Sequence, residues 1–181
     1  MVTAVSGIAA AQSSLADSLR NACIGMQSVE CDFTQTRHVP MMDEDVVSHG
    51  RMAYVKPDYF KWEYTDPEIF VIEMNDSDLS VTKTKEDGTE EVTSSKMYRD
   101  LARLLIGAVS GKLISDDKLF ATEVSCDGKH VIARLIPKKP ELKRMWIGMT
   151  MFFEPVTFKA LHIDISENGG STTAIDFKYN Q

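Results

Sequence analysis

The sequence lacks the marks of several protein classes. No apolar run approaches the ~20 residues that a membrane-spanning helix needs. The net charge is −7 and most basic residues are scattered, which argues against binding a phosphate backbone, since that requires a basic face. One stretch is locally basic, KKPELKR at 138–144, and we expect it to be a solvated loop. A single domain of 181 residues is large enough to fold without metals or dense disulfides.

Cysteine and histidine are sparse and show no metal-ligand spacing. Two states remain open for Cys23 and Cys31: a bridge in an oxidising compartment, or buried thiols, which the frequent burial of cysteine favours. In either state Cys126 stays free. The four histidines lie far apart in the sequence, at His38, His49, His130 and His162. We therefore expect no metal site.

Catalytic motifs are missing as well. The sequence contains no Gly-x-Ser-x-Gly, no phosphate-binding glycine loop and no His-Glu-x-x-His. We therefore expect no catalytic residue, no cofactor, no nucleic-acid partner and no enzymatic activity.

Alternation of apolar and polar residues is the strongest pattern present. In PDYFKWEYTDPE, at 57–68, three aromatic residues fall on one face of a predicted strand: Phe60, Trp62 and Tyr64. The same alternation recurs in about ten segments, several of them joined by Asp-Gly or Asn-Gly-Gly turns. An aromatic face of this size must be covered by a core, by a partner protein or by an apolar ligand.

Two segments carry apolar side chains at helical spacing instead. They are residues 14–27, predicted to begin at the capping signature Ser14-x-x-Asp17, and residues 94–109. Residues 1–13 are small, apolar and uncharged. They are either the end of a secretory signal or a flexible lead-in, and the single predicted domain covers residues 14–181.

The order of the predicted elements is helix, five or six strands, helix, then about five strands. About ten antiparallel strands with short connections curl, because long flat sheets are rare. The outer faces of the strands are charged, so the apolar stripes of the helices must lie on the inner face. The sequence therefore predicts an α+β fold in which a curved antiparallel sheet carries helices over its concave, apolar side.

Two blocks of the sequence resemble the LolA family of periplasmic lipoprotein carriers. The first contains Phe33-Thr34-Gln35, Gly50, the unit Lys56-Pro57-x-x-Phe60-x-Trp62, and Pro67. The second contains Leu135-x-Pro137 and the strand-like segments that follow it, and together the blocks span about residues 14–180. The resemblance implies an unclosed half-barrel with an α-helical lid.

The resemblance also implies a function. The family shields lipoprotein acyl chains in a hydrophobic cavity, receives them from an inner-membrane ABC transporter and hands them to an outer-membrane acceptor. By this resemblance we expect a monomeric periplasmic carrier that contributes to outer-membrane biogenesis. The alternative is a lipid- or lipoprotein-sensing regulatory module with the same half-barrel.

The expected site follows from the apolar faces and the resemblance. Cavity residues are expected at Phe33, Met52, Tyr54, Phe60, Trp62, Tyr64, Phe70, Met149 and Met151. Lid residues are expected at Leu15, Leu19, Leu101, Leu104 and Leu105. Family members often place an arginine before the proline, where it bonds carbonyls of the lid. Here Lys56 is the latch candidate, a flexible point charge in place of a rigid fork.

Overall fold

The computed structural model describes residues 4–57, 59–76, 78–85, 87–93 and 96–179, without the side chains of 4–13, 93, 96–101 and 103. The first half contains α1 (Ala4–Gly25), β1 (Ser28–His38), β2 (Val46–Val55), β3 (Tyr59–Asp66), β4 (Phe70–Asn75), β5 (Asp78–Thr84) and β6 (Glu90–Thr93). The second contains α2 (Lys96–Val109), α3 (Lys112–Ser115), β7 (Phe120–Cys126), β8 (Val131–Pro137), α4 (Pro140–Lys143), β9 (Trp146–Phe153), β10 (Ala160–Glu167) and β11 (Thr172–Lys178).

The strands form one antiparallel sheet that does not close. Within the described residues, its 11 strands follow the order β6-β5-β4-β3-β2-β1-β11-β10-β9-β8-β7. The two halves of the chain join in the middle of the sheet, where β1 pairs with β11. The outermost strands are β6 and β7, and none of their described residues pair with each other. This arrangement confirms the unclosed half-barrel.

Alternation along the strands divides the sheet into a buried and an exposed face. In β3, Phe60, Trp62 and Tyr64 are buried, whereas Lys61 and Glu63 lie on the other face and form an ion pair. The same division continues through the paired strands, because directly opposed residues share a face. The concave face is therefore almost continuously apolar.

The helices cover this concave face, as predicted. Their buried residues Leu19, Leu104 and Ile114 belong to the same core as the inner faces of the strands. Helix α1 also packs directly on the junction between α2 and α3. A Cβ atom added at Gly111 would lie 2.2 Å from Cys23 Cβ, and Gly111 has a φ of 71° that favours glycine.

Helix α1 differs from its prediction. It begins at Ala4, well before the capping signature at Ser14, so the predicted lead-in is helical from Ala4 onward. Ser14 lies inside the helix, where its carbonyl accepts a hydrogen bond from the Ser18 hydroxyl. Alanine has the highest helix propensity, so the alanine-rich segment continues the helix past a residue that often begins one. Within the ranges given above, no helix combines the length and apolar composition needed to span a bilayer.

The short helices α3 and α4 were not predicted. Helix α4 forms in the basic segment that was expected to be a loop, and Pro140 occupies its first turn. Proline favours this position because the first turn needs no hydrogen bond from its nitrogen. All four residues of α4 are at least partly exposed, so the segment is solvated as expected.

Gly50 is required by the close approach of Phe33 from the paired strand. An added Cβ would lie 2.4 Å from Phe33 Cζ and 2.1 Å from the Glu63 carbonyl oxygen. We expect Gly50→Ala to lower the free energy of unfolding by about 1–3 kcal/mol, because an inserted methyl group forces the core apart. Urea unfolding measures this change.

A second strand glycine provides the control for that experiment. The nearest atom to a Cβ added at Gly148 is the Leu135 carbonyl oxygen at 3.3 Å, so Gly148→Ala should cost less. Equal unfolding free energies for the two variants would contradict the role given to the contact between Gly50 and Phe33.

Candidate functional site

The inner face of the first half of the sheet carries a packed aromatic cluster. Phe33 stacks on Trp62 with ring centroids 3.9 Å apart, and Tyr64 stacks on Phe70 at 4.2 Å. Phe33 also meets Tyr64 edge to face at 5.3 Å. These distances leave no room between the rings, so the cluster is a close-packed part of the interior.

One polar atom lies unsatisfied in this cluster. Trp62 Nε1 is buried and has no hydrogen-bond acceptor among the described residues. A buried donor without a partner costs about 1–3 kcal/mol, which makes such atoms uncommon. By contrast, the Tyr64 hydroxyl donates to Gln35 Oε1 at 2.9 Å.

All nine expected cavity residues lie in the core or pack against it. Eight are buried and Phe70 is half-buried. Met149 and Met151 lie on β9, in the other half of the sheet from the aromatic cluster. Of the expected lid residues, Leu19, Leu104 and Leu105 are buried and Leu15 is half-buried, whereas the Leu101 side chain is outside the described residues.

A separate apolar pocket lies between the helices and the sheet. Met52 is the one expected cavity residue that lines it; the other lining residues are Cys23, Met26, Val29, Ala108, Val109, Phe153, Phe158, Ala160, Phe177 and Tyr179. The volume open to the centre of a water-sized sphere is about 10 Å³, which is close to what a single water molecule needs. The pocket is therefore nearly closed.

Phe158 closes one side of this pocket from the turn between β9 and β10. Its φ of 53° is unfavourable for a bulky side chain. Glu154 holds the turn in place: its carbonyl accepts the Phe158 N–H at 2.9 Å, and its carboxylate accepts the N–H groups of Val156 and Thr157. Hydrogen bonds from Thr157 and Val156 also lower the pKa of Glu154. The sequence carried no signal for Phe158, because it is part of no periodic segment.

The ionisable side chains that line the pocket are uncharged at neutral pH. Burial raises the pKa of Cys23 to about 11 and that of Cys31 to about 12, where Asp32 contributes as well. Burial also raises the pKa of Tyr179, whose hydroxyl donates to the Ala160 carbonyl at 2.7 Å. All three cysteines are free thiols. The lining of the pocket therefore carries no charged group, although the Lys159 ammonium lies over the Tyr179 ring, 4.9 Å from its centroid.

Lys56 connects the β2–β3 turn to the end of α1. Its Nζ donates to the Ile24 carbonyl at 2.9 Å, and its backbone N–H donates to the Gln27 carbonyl at 2.8 Å. The last carbonyls of a helix have no partner within the helix and attract cations. The structure thus places the Lys56 ammonium on a carbonyl of the lid.

The histidines take no part in this site. His162 lies on the outer face between Asp176 at 2.7 Å and Asp164 at 2.9 Å. Burial lowers the pKa of His162, but the hydrogen bonds with the two carboxylates outweigh burial and raise it overall. In the part of the chain that is described, no three His, Cys, Asp or Glu side chains are arranged to hold a metal ion.

Comparison with known proteins identifies a family that this chain matches. The family profile described as "Outer membrane lipoprotein carrier protein LolA" matches residues 25–181. No curated protein sequence matches the chain.

Several solved structures are similar in fold. One is a DUF1329 family protein from Desulfovibrio piger, at 13% identity and a TM-score of 0.47, with 94% of this chain and 92% of that chain covered. Another is a LolA superfamily protein from Nitrosomonas europaea, at 9% identity and a TM-score of 0.43, with 94% of each chain covered. A third is the Pseudomonas aeruginosa MucA/MucB complex, at 11% identity and a TM-score of 0.45, with 92% of this chain and 55% of that chain covered.

The contact between Lys56 and Ile24 should determine how readily α1 moves away from the sheet. Buried Cys23 should react slowly with a thiol reagent at pH 8, and exposed Cys126 quickly. A hydrogen bond of about 1 kcal/mol holds α1 down, so Lys56→Met should raise the Cys23 labelling rate about fivefold. Mass spectrometry of labelled peptides measures each rate.

Lys61→Met is the matched control, because Lys61 lies on the outer face and pairs with Glu63. Its Cys23 labelling rate should equal that of the unmodified protein. Equal rates in all three proteins would show that the Lys56 contact does not hold α1.

Proposed function

Since the chain belongs to the LolA family, whose profile matches residues 25–181, we propose that it is a periplasmic lipoprotein carrier. It shields the acyl chains of a lipoprotein between the helices and the concave face of the sheet. It receives them from an inner-membrane ABC transporter and hands them to an outer-membrane acceptor. The carrier acts as a monomer and breaks no covalent bond, so it needs no catalytic residue.

The apolar pocket under α1 and α2 is the observation that carries this proposal. Transfer of an acyl chain between membranes requires that the chain be kept from water. With ~15 methylene groups at ~0.8 kcal/mol each, one exposed chain costs about 12 kcal/mol. A continuous apolar surface beneath a helical layer supports shielding of such a chain.

The pocket is closed in this structure. Ligand pockets usually have about 300–1,000 Å³, whereas this one has about 10 Å³. Binding of an acyl chain therefore requires that the helices move away from the sheet. In the closed state, Leu104 and Leu105 occupy the apolar surface that the acyl chain would cover. Competition between lid and ligand keeps binding reversible.

The expected cavity residues would become the walls of the opened cavity. Lifting α1 and α2 would uncover Met52 first, because it already lines the pocket. The aromatic cluster lies farther along the same face. The ester or amide carbonyl at the head of an acyl chain would supply the acceptor that Trp62 Nε1 lacks.

Lys56 would act as the latch of the closed state. Its ammonium makes one exposed hydrogen bond to the end of α1, in contrast to the two-pronged contact that arginine makes. A single bond of this kind is weak, so the latch would give way to a ligand that binds the open state.

Mass spectrometry of the protein purified from its native periplasm tests the proposal. We expect co-purified lipoproteins or their acylated amino-terminal peptides. Their transfer to acceptor-containing membranes should follow addition of the loaded protein. Bound lipid with no transferable lipoprotein would favour the sensing module, and absence of any acyl ligand would contradict both functions.

Replacing Phe158 tests whether the pocket is the ligand site. Phe158→Gly removes the side chain that closes the pocket, and glycine readily adopts a φ of 53°. We expect this variant to bind a fluorescent apolar dye several-fold more tightly, as measured by titration.

Met41→Gly is the matched control for Phe158→Gly. Met41 also has a positive φ, of 75°, but it is fully exposed and is not among the residues that line the pocket. Its dye affinity should not change. The same gain in both variants would show that relieved backbone strain, and not pocket volume, caused the effect.

A further inference from the structure

The connection between β8 and β9 is basic in an acidic protein. Residues 138–144 contain four cations, Lys138, Lys139, Lys143 and Arg144, and one acid, Glu141, whereas the whole chain has a net charge of −7. The Lys138 ammonium donates to the Asp117 carbonyl. Among the described residues, no ion pair engages the other three cations, which are exposed and available to a partner.

Large apolar side chains are exposed on both sides of these cations. Ile136 is 52% exposed, Met145 is 40% exposed and Ile147 is 62% exposed. Trp146 is half-buried and packs against the core. The segment 136–147, named the basic–apolar patch below, thus combines four cations with three exposed apolar side chains at one end of a strand pair.

The basic–apolar patch is an ordered part of the fold. Helix α4 ends in hydrogen bonds from Arg144 N–H to the Pro140 carbonyl and from Met145 N–H to the Leu142 carbonyl. Asn168, in the β10–β11 turn, donates its backbone N–H to the Met145 carbonyl at 2.8 Å and its side-chain amide to the Lys143 carbonyl. These bonds fix the backbone that carries the cations and the exposed Met145.

We propose that the basic–apolar patch docks the protein on the surface of an anionic phospholipid bilayer. Cations near such a surface each contribute to binding, and apolar side chains enter the boundary between headgroups and acyl chains. A tryptophan beside them fits the same boundary. Flexible lysines can bind a layer of many identical headgroups without shape complementarity. A protein partner would require such complementarity.

The acidic remainder of the protein does not prevent this contact. At physiological salt, charges are screened beyond about 8 Å, so the patch itself meets the surface. Asp116 and Asp117 lie near Lys138, and Asp43, Glu44 and Asp45 lie in the β1–β2 connection. These acids keep the attraction moderate and sensitive to salt. Docking by this surface goes beyond the proposed carrier function, because it does not involve the pocket.

Vesicle co-sedimentation of the full chain tests the proposal. The vesicles are phosphatidylcholine alone, or phosphatidylcholine with phosphatidylglycerol as the anionic lipid, each at low and at physiological salt. We expect binding to the anionic vesicles, weakened by salt. The triple variant Lys139→Gln, Lys143→Gln and Arg144→Gln should bind them ~100-fold more weakly, because three cations near the surface are removed.

A second triple variant controls for net charge. Lys85→Gln, Lys129→Gln and Lys178→Gln neutralises three exposed lysines outside the basic–apolar patch, two on other connections and one at the end of β11, and should retain vesicle binding. Ile147→Ser should weaken binding while all cations remain. Equal losses in both triple variants would overturn the proposal, and so would equal binding to both vesicle types.

Two further readouts separate the alternatives. Dye binding in the pocket should be the same in all these variants, so a failure of docking is distinct from a failure of the carrier function. If the patch triple variant impairs lipoprotein transfer while the unmodified protein binds no anionic vesicles, the patch contacts an acidic protein and the bilayer proposal is overturned.

Discussion

The rest of the structure depends on one constraint: the apolar concave face of the sheet must be covered. A sheet whose outer strands do not pair has a concave side that remains accessible, and here that side is lined by aromatic and aliphatic residues. Water cannot be left against it, so α1, α2 and α3 must lie there. Folding alone therefore requires that helices cover this face, whether or not a ligand binds there. An acyl ligand bound at this face would displace part of the protein's own core, and its affinity would be the difference between two similar contacts.

The sequence predicted much of this because local periodicity and burial agree. Alternation in β3 placed Phe60, Trp62 and Tyr64 on the buried face, and the helical stripe placed Leu104 toward the sheet. The start of α1 was wrong because a local capping signal competed with the helix propensity of the preceding alanines. The pairing of β1 with β11 joins segments far apart in the chain, and no local pattern specifies such a pairing.

The location of the pocket could not be predicted from the sequence, for a different reason. Alternation with a period of two residues identifies which side chains share a face of the sheet. It does not show where those side chains leave a gap. Aromatic rings such as Phe33 and Trp62 pack tightly on each other, whereas the small residues Ala108 and Ala160 leave a gap near the end of α1. Packing defects depend on the sizes of side chains from several elements at once. Phe158 reaches this gap only because Glu154 fixes its turn.

The two edges of the sheet are consecutive in the chain. Strand β6 ends at Thr93, strand β7 begins at Phe120, and the residues between them include α2 and α3. Helix α2 contacts β4, and α3 contacts β7 and β8, so this one segment spans the opening between the edges. The residues that connect the two edges of the sheet are therefore also the residues that cover the opening between them. A ligand that raised α2 would pull on both margins of the sheet, and the width of the opening would change together with the height of the helices above it.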